Sequence, residues 1–281
     1  SCGKWSRNNM LCKLIHFSDT HEIATLEHWH ACFDKRLIGF FNSNVIRKSR
    51  YDRALIAPAV EMMLAEKPDA ILFTGDATSC GQPGEFARVL PLFEPLLKSS
   101  IPFIYTPGNH DAYVKDRACR EALRQFCLAM TRGQYEPADY PYAAELEHFR
   151  IVALNCSHPT LPVSSCGYMQ KKTREFLKRE AERLKTKPLI CAGHFPILEQ
   201  MPIRRARHRL YGGAVAAEMI RDGVIDLSLC GHVHKPYEIL NASGRGEISA
   251  GSLTKYGFYS RILYDTERDA FTLERVPVEK G

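Results

Sequence analysis

Aspartate, asparagine and histidine recur in this chain in five short clusters, each behind an apolar, β-rich run. They are Ser18-Asp19-Thr20-His21, Gly75-Asp76, Gly108-Asn109-His110-Asp111, Gly193-His194-Phe195-Pro196 and Gly231-His232-Val233-His234. Carboxylate, amide oxygen and neutral imidazole suit Mn²⁺, Fe²⁺ or Zn²⁺, and the lack of Cys at these positions argues against a structural zinc site. Singly, each cluster has a plain reading. Asp-x-His arises by chance, Gly-Asp is a common turn, Asn and Asp cap loops, and a His after a strand is more often a satisfied core group than a ligand. Together, in this order and all at strand ends, they point to one ion-binding site. Four of the five set Gly directly before the polar group or within one residue of it, where it permits a sharp turn and close approach to an ion.

The elements that must position these residues alternate. Leu11–Phe17, Ala70–Phe73, Ile101–Tyr105, Ile151–Leu154, Leu189–Ala192 and Ile225–Leu229 read as strands. Ala54–Glu66, Glu85–Lys98, Asp116–Met130, Met169–Lys185 and Gly213–Arg221 read as helices, with Pro58, Pro91 and Pro95 blurring the first two boundaries. Such alternation argues an α/β fold, which sets its ligand sites beyond the carboxyl ends of the strands. The tail reads differently, as consecutive antiparallel strands at Tyr237–Leu240, Glu247–Ala250, Arg261–Asp265 and Phe271–Val276. No linker divides the chain, so residues 11–281 are expected to form one domain behind a polar tail at 1–10.

At 281 residues the chain can bury a sizeable core, and its 45% hydrophobic and 25% charged content is ordinary. A net charge of +6 permits anionic ligands, but no dense basic stripe marks a nucleic-acid binder. The ten cysteines are scattered without a CxxC pair, and Cys156, Cys191 and Cys230 lie in apolar runs. Free thiols in a reducing, cytoplasmic compartment fit that pattern. No apolar stretch is long enough to span a membrane.

The ordered set Asp19-x-His21, Gly75-Asp76, Gly108-Asn109-His110-Asp111, Gly193-His194 and Gly231-His232-x-His234 resembles the calcineurin-like metallophosphoesterases. The resemblance implies a four-layer αββα sandwich with a dinuclear metal site at the strand ends, Mn²⁺ being the favoured ion and Fe²⁺ or Zn²⁺ alternatives. It implies that Asp19, His21, Asp76 and His234 hold one ion and that Asp76, Asn109, His194 and His232 hold the other. Asp76 would bridge them, offsetting the repulsion of two close cations. It also makes His110 the group that protonates the leaving oxygen or stabilises the transition state. Asp111 would orient His110 by a hydrogen bond, or simply cap the loop.

Such a core fixes a reaction type and leaves the substrate open. Between Asp19 and Asp76 lies an insert at 34–53 in which Leu37, Phe41 and Val45 fall at i, i+4 and i+8, with Ile38 alongside. Lys35, Arg36, Arg47, Lys48 and Arg50 flank it. An apolar face with basic ends suits a membrane interface or an acylated phosphate ligand, or else a lid helix packed on the core. A second basic patch, Arg204, Arg205, Arg207 and Arg209, follows the His194 cluster and would clamp a pyrophosphate, or form a solvated loop. Residues 35–42, with Phe40 and Phe41, are similar to the chlamydial type of UDP-2,3-diacylglucosamine pyrophosphatase of lipid A synthesis. That resemblance implies a UDP-linked glycolipid substrate, cleaved to UMP and a lipid monophosphate at the cytoplasmic membrane face. A cyclic-nucleotide or other small phosphodiesterase is the alternative. A protein phosphatase is disfavoured because Ala-Thr-Ser-Cys, not Asp-Arg-Gly, follows Asp76. A scaffold that has lost catalysis is disfavoured by the complete ligand set.

Overall fold

A computed structural model describes residues 11–24, 27, 34–41, 44, 50–161, 164–198 and 208–279. The tail at 1–10, Val45, Arg47, Lys48, Arg204, Arg205 and Arg207 lie outside the described residues. Thirteen strands are described: β1 Leu11–Phe17, β2 Ala70–Phe73, β3 Phe103–Tyr105, β4 Tyr142–Glu145, β5 Arg150–Leu154, β6 Gly167–Tyr168, β7 Leu189–Gly193, β8 Leu210–Tyr211, β9 Leu227–Cys230, β10 Tyr237–Leu240, β11 Gly246–Ser249, β12 Phe258–Asp265 and β13 Ala270–Pro277. The helices are α1 Lys35–Phe41, α2 Ile56–Ala65, α3 Pro83–Lys98, α4 Arg117–Met130, α5 Lys171–Ala181, α6 Ala214–Arg221 and α7 Leu253–Tyr256.

Two large sheets form, ordered β13-β12-β1-β2-β3 and β10-β11-β9-β7-β5-β4. Their facing sides bury Leu14, Leu72, Ile104, Ile151, Ile190, Leu229 and Ile262 in one core. A second core joins the five-stranded sheet to α2, α3 and α4 through Ile71, Phe73, Met63, Phe93 and Phe126. A third joins the six-stranded sheet to α5 and α6 through Val152, Cys191, Leu177 and Ile220. Three cores between four layers make the αββα sandwich. Strand β2, Ala-Ile-Leu-Phe, is buried on both faces, as a parallel strand covered on either side must be.

Helix α4 shows how local sequence supports this. Asp116 caps it, accepting from the Ala118 and Cys119 amides at 2.9 and 3.1 Å. Cys119, Leu123, Phe126, Cys127 and Met130 form its buried stripe. Pro91 and Pro95 do not end α3, which runs to Lys98 with Phe86, Val89, Phe93 and Leu96 packed inward. The last four strands are not one meander. β10–β11 extends the six-stranded sheet, where β11 lies parallel to β9, and β12–β13 extends the other, with β12 antiparallel to β1. Among the described residues no helix is long and apolar enough to cross a membrane. The eight described cysteines are free thiols, seven of them buried.

Candidate active site

Strands β1, β2 and β3 are neighbours, and Asp19, Asp76 and Asn109 follow their carboxyl ends. His194 follows β7, and His232 and His234 follow its neighbour β9 in the other sheet. The two sheet edges meet there, so these six residues converge, together with His21 two positions after Asp19. Asp19, His21, Asp76, His232 and His234 adopt φ between 48° and 68°, a left-handed conformation that non-glycine residues seldom take. Strain of that kind persists only where the surroundings over-determine it. Glycine is required beside them: a Cβ on Gly108 would overlap the Asp76 carboxylate, and one on Gly231 would overlap Ser18 and Asp19.

One oxygen of each aspartate is held by backbone. Asp76 Oδ1 accepts from the His110 amide at 2.8 Å and Asp19 Oδ2 from the His232 amide at 3.1 Å. The other oxygens, Asp19 Oδ1 and Asp76 Oδ2, are buried with no hydrogen-bond partner. They face imidazoles: Asp19 Oδ1 lies 3.5 Å from His21 Nε2 and 3.3 Å from His234 Nε2. Asp76 Oδ2 lies 3.7 Å from His21 Nε2 and 3.3 Å from His194 Nε2. An orphaned buried carboxylate oxygen is expensive without a cation. Donor atoms of Asp19, His21, Asp76 and His234 lie within 4.8 Å of one another, a group that can hold a metal ion.

A second group gathers around Asn109 Oδ1, which is 3.0 Å from His194 Nε2 and 2.8 Å from His232 Nδ1, with the two imidazole atoms 3.2 Å apart. Separations near 3 Å are what bonds of about 2.0–2.1 Å to one ion make at right angles.

The far nitrogen of each ring is held as well. His21 Nδ1 donates to the Thr78 carbonyl at 3.3 Å and His194 Nδ1 to the Thr74 carbonyl at 2.7 Å. His234 Nδ1 lies 2.9 Å from Tyr51 Oη, and His232 Nε2 lies 3.3 Å from His208 Nδ1. Such outer contacts select the tautomer that aims a bare nitrogen at an ion. Burial works against charge on His194, yet the Asp76 carboxylate outweighs it and pushes the imidazole up to about 9. Burial also opposes ionisation of Asp76, but His194 and His110 hold its carboxyl well below the usual range. The Asp76 carboxylate and the His194 imidazole thus favour each other's charged forms.

His110 stands beside this centre, its ring 5.0 Å from that of His21 and stacked at 5.2 Å on Tyr113. Its Nδ1 donates to the Ser79 carbonyl at 2.6 Å. The orienting bond therefore comes from Ser79 rather than from Asp111. The Asp111 carboxylate accepts from the amides of Gly108, Asp76 and Thr78, from Thr78 Oγ1 and from Tyr105 Oη, all at 2.9–3.0 Å. Five donors spend it on pinning the loops that carry Asp76 and Asn109.

The insert does not pack its apolar face on the core as a lid would, and two of its basic residues turn inward. Lys35, Arg36 and Gly39 form the buried side of α1, whereas Ile38 and Phe41 are 46% and 55% exposed. Arg36 turns inward because Asp34 accepts from its guanidinium at 2.8–3.1 Å. Gly39 lacks the Cβ that would strike Cys80 and Tyr113. Phe40 is half-buried and packs on the Ala24, Cys80 and Tyr113 cluster, so of the two phenylalanines Phe41 alone is offered to solvent. In the second basic patch Arg209 is exposed and lies 5.4 Å over the Tyr211 ring. Sequence reasoning missed His208, although it sits inside that patch. It missed Tyr51, Ser79 and Glu85 because no motif marks them. Buried Glu85 accepts from the Ser79 and Cys80 amides, both at 2.8 Å, and so holds the carbonyl that orients His110.

The family profile of calcineurin-like phosphoesterases matches residues 12–236, and the chain belongs to that family. Among relatives, it is 24% identical over 222 residues to a probable cyclic nucleotide phosphodiesterase of Rhodococcus erythropolis, covering 79% of this chain and 64% of that one. It is 28% identical over 188 residues to a glycerophosphodiester phosphodiesterase of Enterobacter lignolyticus, covering 66% of this chain and 57% of that one. The chain therefore spans less than two thirds of these relatives' length. The fold is also that of a dimetal phosphatase from Danio rerio, with TM-score 0.63 and 14% identity over 95% of this chain and 99% of that one.

Proposed function

We propose that this chain is a two-metal hydrolase of small phosphodiesters. The observation that carries this reading is the pair of buried, unpartnered oxygens, Asp19 Oδ1 and Asp76 Oδ2, aimed among imidazoles whose other nitrogens are already held. Asp19, His21, Asp76 and His234 would hold one divalent ion and Asp76, Asn109, His194 and His232 the other. Mn²⁺ is the favoured occupant of this oxygen- and nitrogen-donor set, which also accommodates Fe²⁺ or Zn²⁺. Ions so held supply Lewis acidity toward phosphoryl oxygens and acidify water. His110, fixed by Ser79, donates a proton to the leaving oxygen. Relatives named for cyclic nucleotides and for glycerophosphodiesters favour a small soluble diester.

A second reading keeps the UDP-diacylglucosamine substrate, with contact at a membrane surface. It is favoured by Ile38 and Phe41, two exposed apolar side chains on one helix beside the site. A substrate panel on Mn²⁺-loaded protein tests both, using bis-p-nitrophenyl phosphate, cyclic AMP, a glycerophosphodiester and the UDP-lipid. Turnover of the diesters that is abolished by chelator supports the first reading. Turnover of the UDP-lipid alone moves the assignment to the second, and a fully loaded protein that hydrolyses none of them rejects both.

A further inference from the structure

Lys35 is a buried cation, 7% exposed, without a carboxylate in ion-pair range among the described residues. Its ammonium donates to Thr160 Oγ1 at 2.7 Å and to the Ser164 carbonyl at 3.1 Å, and stands 4.5 Å over the Tyr113 ring. Two of its three donors are used, both on neutral acceptors. The other buried cation of the same helix is treated differently, since Arg36 has Asp34 as a counter-ion. A desolvated charge normally finds an opposite one. Burial outweighs the opposing influence of the Asp76 carboxylate and pulls the ammonium down to about 8.

The position of Lys35 gives the missing counter-charge a source. Tyr113 stacks on His110 and also carries Lys35 against its ring, so a single aromatic side chain joins the ammonium to the group beside the centre. If His110 serves the leaving oxygen, its side is the one on which the departing half of the substrate sits. This step rests on the hydrolase reading. We infer that Lys35 binds a second phosphate carried on the leaving half of the substrate, so that phosphoanhydride diesters are preferred to diesters with a single phosphate. The loop carrying Thr160 and Ser164 sets the ammonium in place before substrate arrives, and the arriving phosphate supplies the counter-charge and takes the third donor. A charge-assisted hydrogen bond in such a site corresponds to about 10–100-fold in affinity.

The test compares UDP with UMP, which differ by the second phosphate, by calorimetry on Mn²⁺-loaded protein at constant free Mn²⁺. Wild type should bind UDP about 10–100-fold more tightly than UMP. Lys35→Met and Lys35→Gln, the second keeping a donor but losing the charge, should erase that preference without lowering Tm. A wild type that does not distinguish the two ligands overturns the inference, as does a preference that survives in either variant. If both variants melt early and lose UDP and UMP alike, Lys35 is a clamp that ties α1 to Thr160 and Ser164 and the inference fails. Hydrolysis of bis-p-nitrophenyl phosphate by wild type separates the two levels. Turnover without a Lys35-dependent preference sinks only this inference, and a Lys35-dependent preference without turnover sinks only the hydrolase reading.

Discussion

The two oxygens of Asp76 have different work. Oδ1 is bound by the His110 amide, which fixes the carboxylate, and Oδ2 is left bare among His21 and His194. His110 is tied to the same carboxylate through its backbone while its ring is held by Ser79. Its side chain can be removed without removing a donor from the metal group. His110→Ala should therefore keep its metal and lose about 10²–10⁴ in kcat. A substrate with a good leaving group, such as p-nitrophenolate, should lose less, because it needs no proton. Metal content by elemental analysis checks the first half, and equal losses on good and poor leaving groups would instead assign His110 to charge stabilisation. Asp111→Asn should behave as a structural lesion, with lower Tm and lost metal together, since its carboxylate serves five donors in the loops bearing Asp76 and Asn109. At this scale the residues that the structure gathers were legible in sequence, because Asp and His at strand ends are few and their order is informative. Their outer partners were not: Thr74, Thr78 and Ser79 act through backbone carbonyls, which every residue possesses.

At the level of elements, the apolar or regularly patterned strands were legible and the weakly patterned ones were not. Tyr142–Glu145 carries too little periodicity to stand out, and Gly167–Tyr168 and Leu210–Tyr211 pair only through two residues each. Helix α1 was found, with its apolar face left open between a membrane or acylated ligand and the core. Apolar spacing could not decide between them, and the Asp34 carboxylate and the missing Cβ of Gly39 turn the Lys35, Arg36 and Gly39 side inward. Two predictions belong here. If α1 meets acyl chains, Ile38→Ser with Phe41→Ser should raise KM for the UDP-lipid far more than for a small diester, with Tm little changed because both residues are exposed. Equal losses on both substrates would show that α1 only covers the site. The second concerns the Ser79–Cys80 loop. Burial raises the Glu85 carboxyl to about 8. The folded chain then keeps this proton from the unfolded value near 4.5 up to about 8, so this group's contribution to stability is complete below about 4.5 and is lost as pH rises toward 8. The loss is at most about 1.4 kcal/mol per pH unit. Glu85→Gln should flatten the denaturant midpoint against pH across that window. An unchanged slope would mean that Glu85 is ionised throughout.

Over the whole molecule, the candidate ligands come from two sheets that also meet through an apolar interior and through Arg275 of β13, which reaches Ser249 and Glu238 of the other sheet. Asp19, Asp76 and Asn109 come from the five-stranded sheet, and His194, His232 and His234 from the six-stranded one. The α/β class followed from the alternation of runs in the sequence, and the four-layer sandwich from the resemblance carried by the five clusters. The assignment of the final hairpins to different sheets did not, because pairing partners such as β1 for β12 lie some 250 residues away in sequence. Since each candidate ion draws donors from both sheets, binding should couple to global stability. The unfolded chain cannot gather these donors, so free metal stabilises the fold by RT ln(1 + [M]/Kd), about 1.4 kcal/mol for every tenfold excess over Kd. Protein stripped with chelator should melt below the Mn²⁺-loaded form, and Tm should climb with the logarithm of free Mn²⁺. Asp76→Ala removes a donor common to both groups and should melt independently of Mn²⁺, while His110→Ala should retain the full metal-dependent rise. Calorimetric melting of the three proteins across a metal series decides this. A wild type whose Tm ignores Mn²⁺ would show that the donors do not close on an ion across the sheets, and a rise that persists in Asp76→Ala would locate the metal elsewhere.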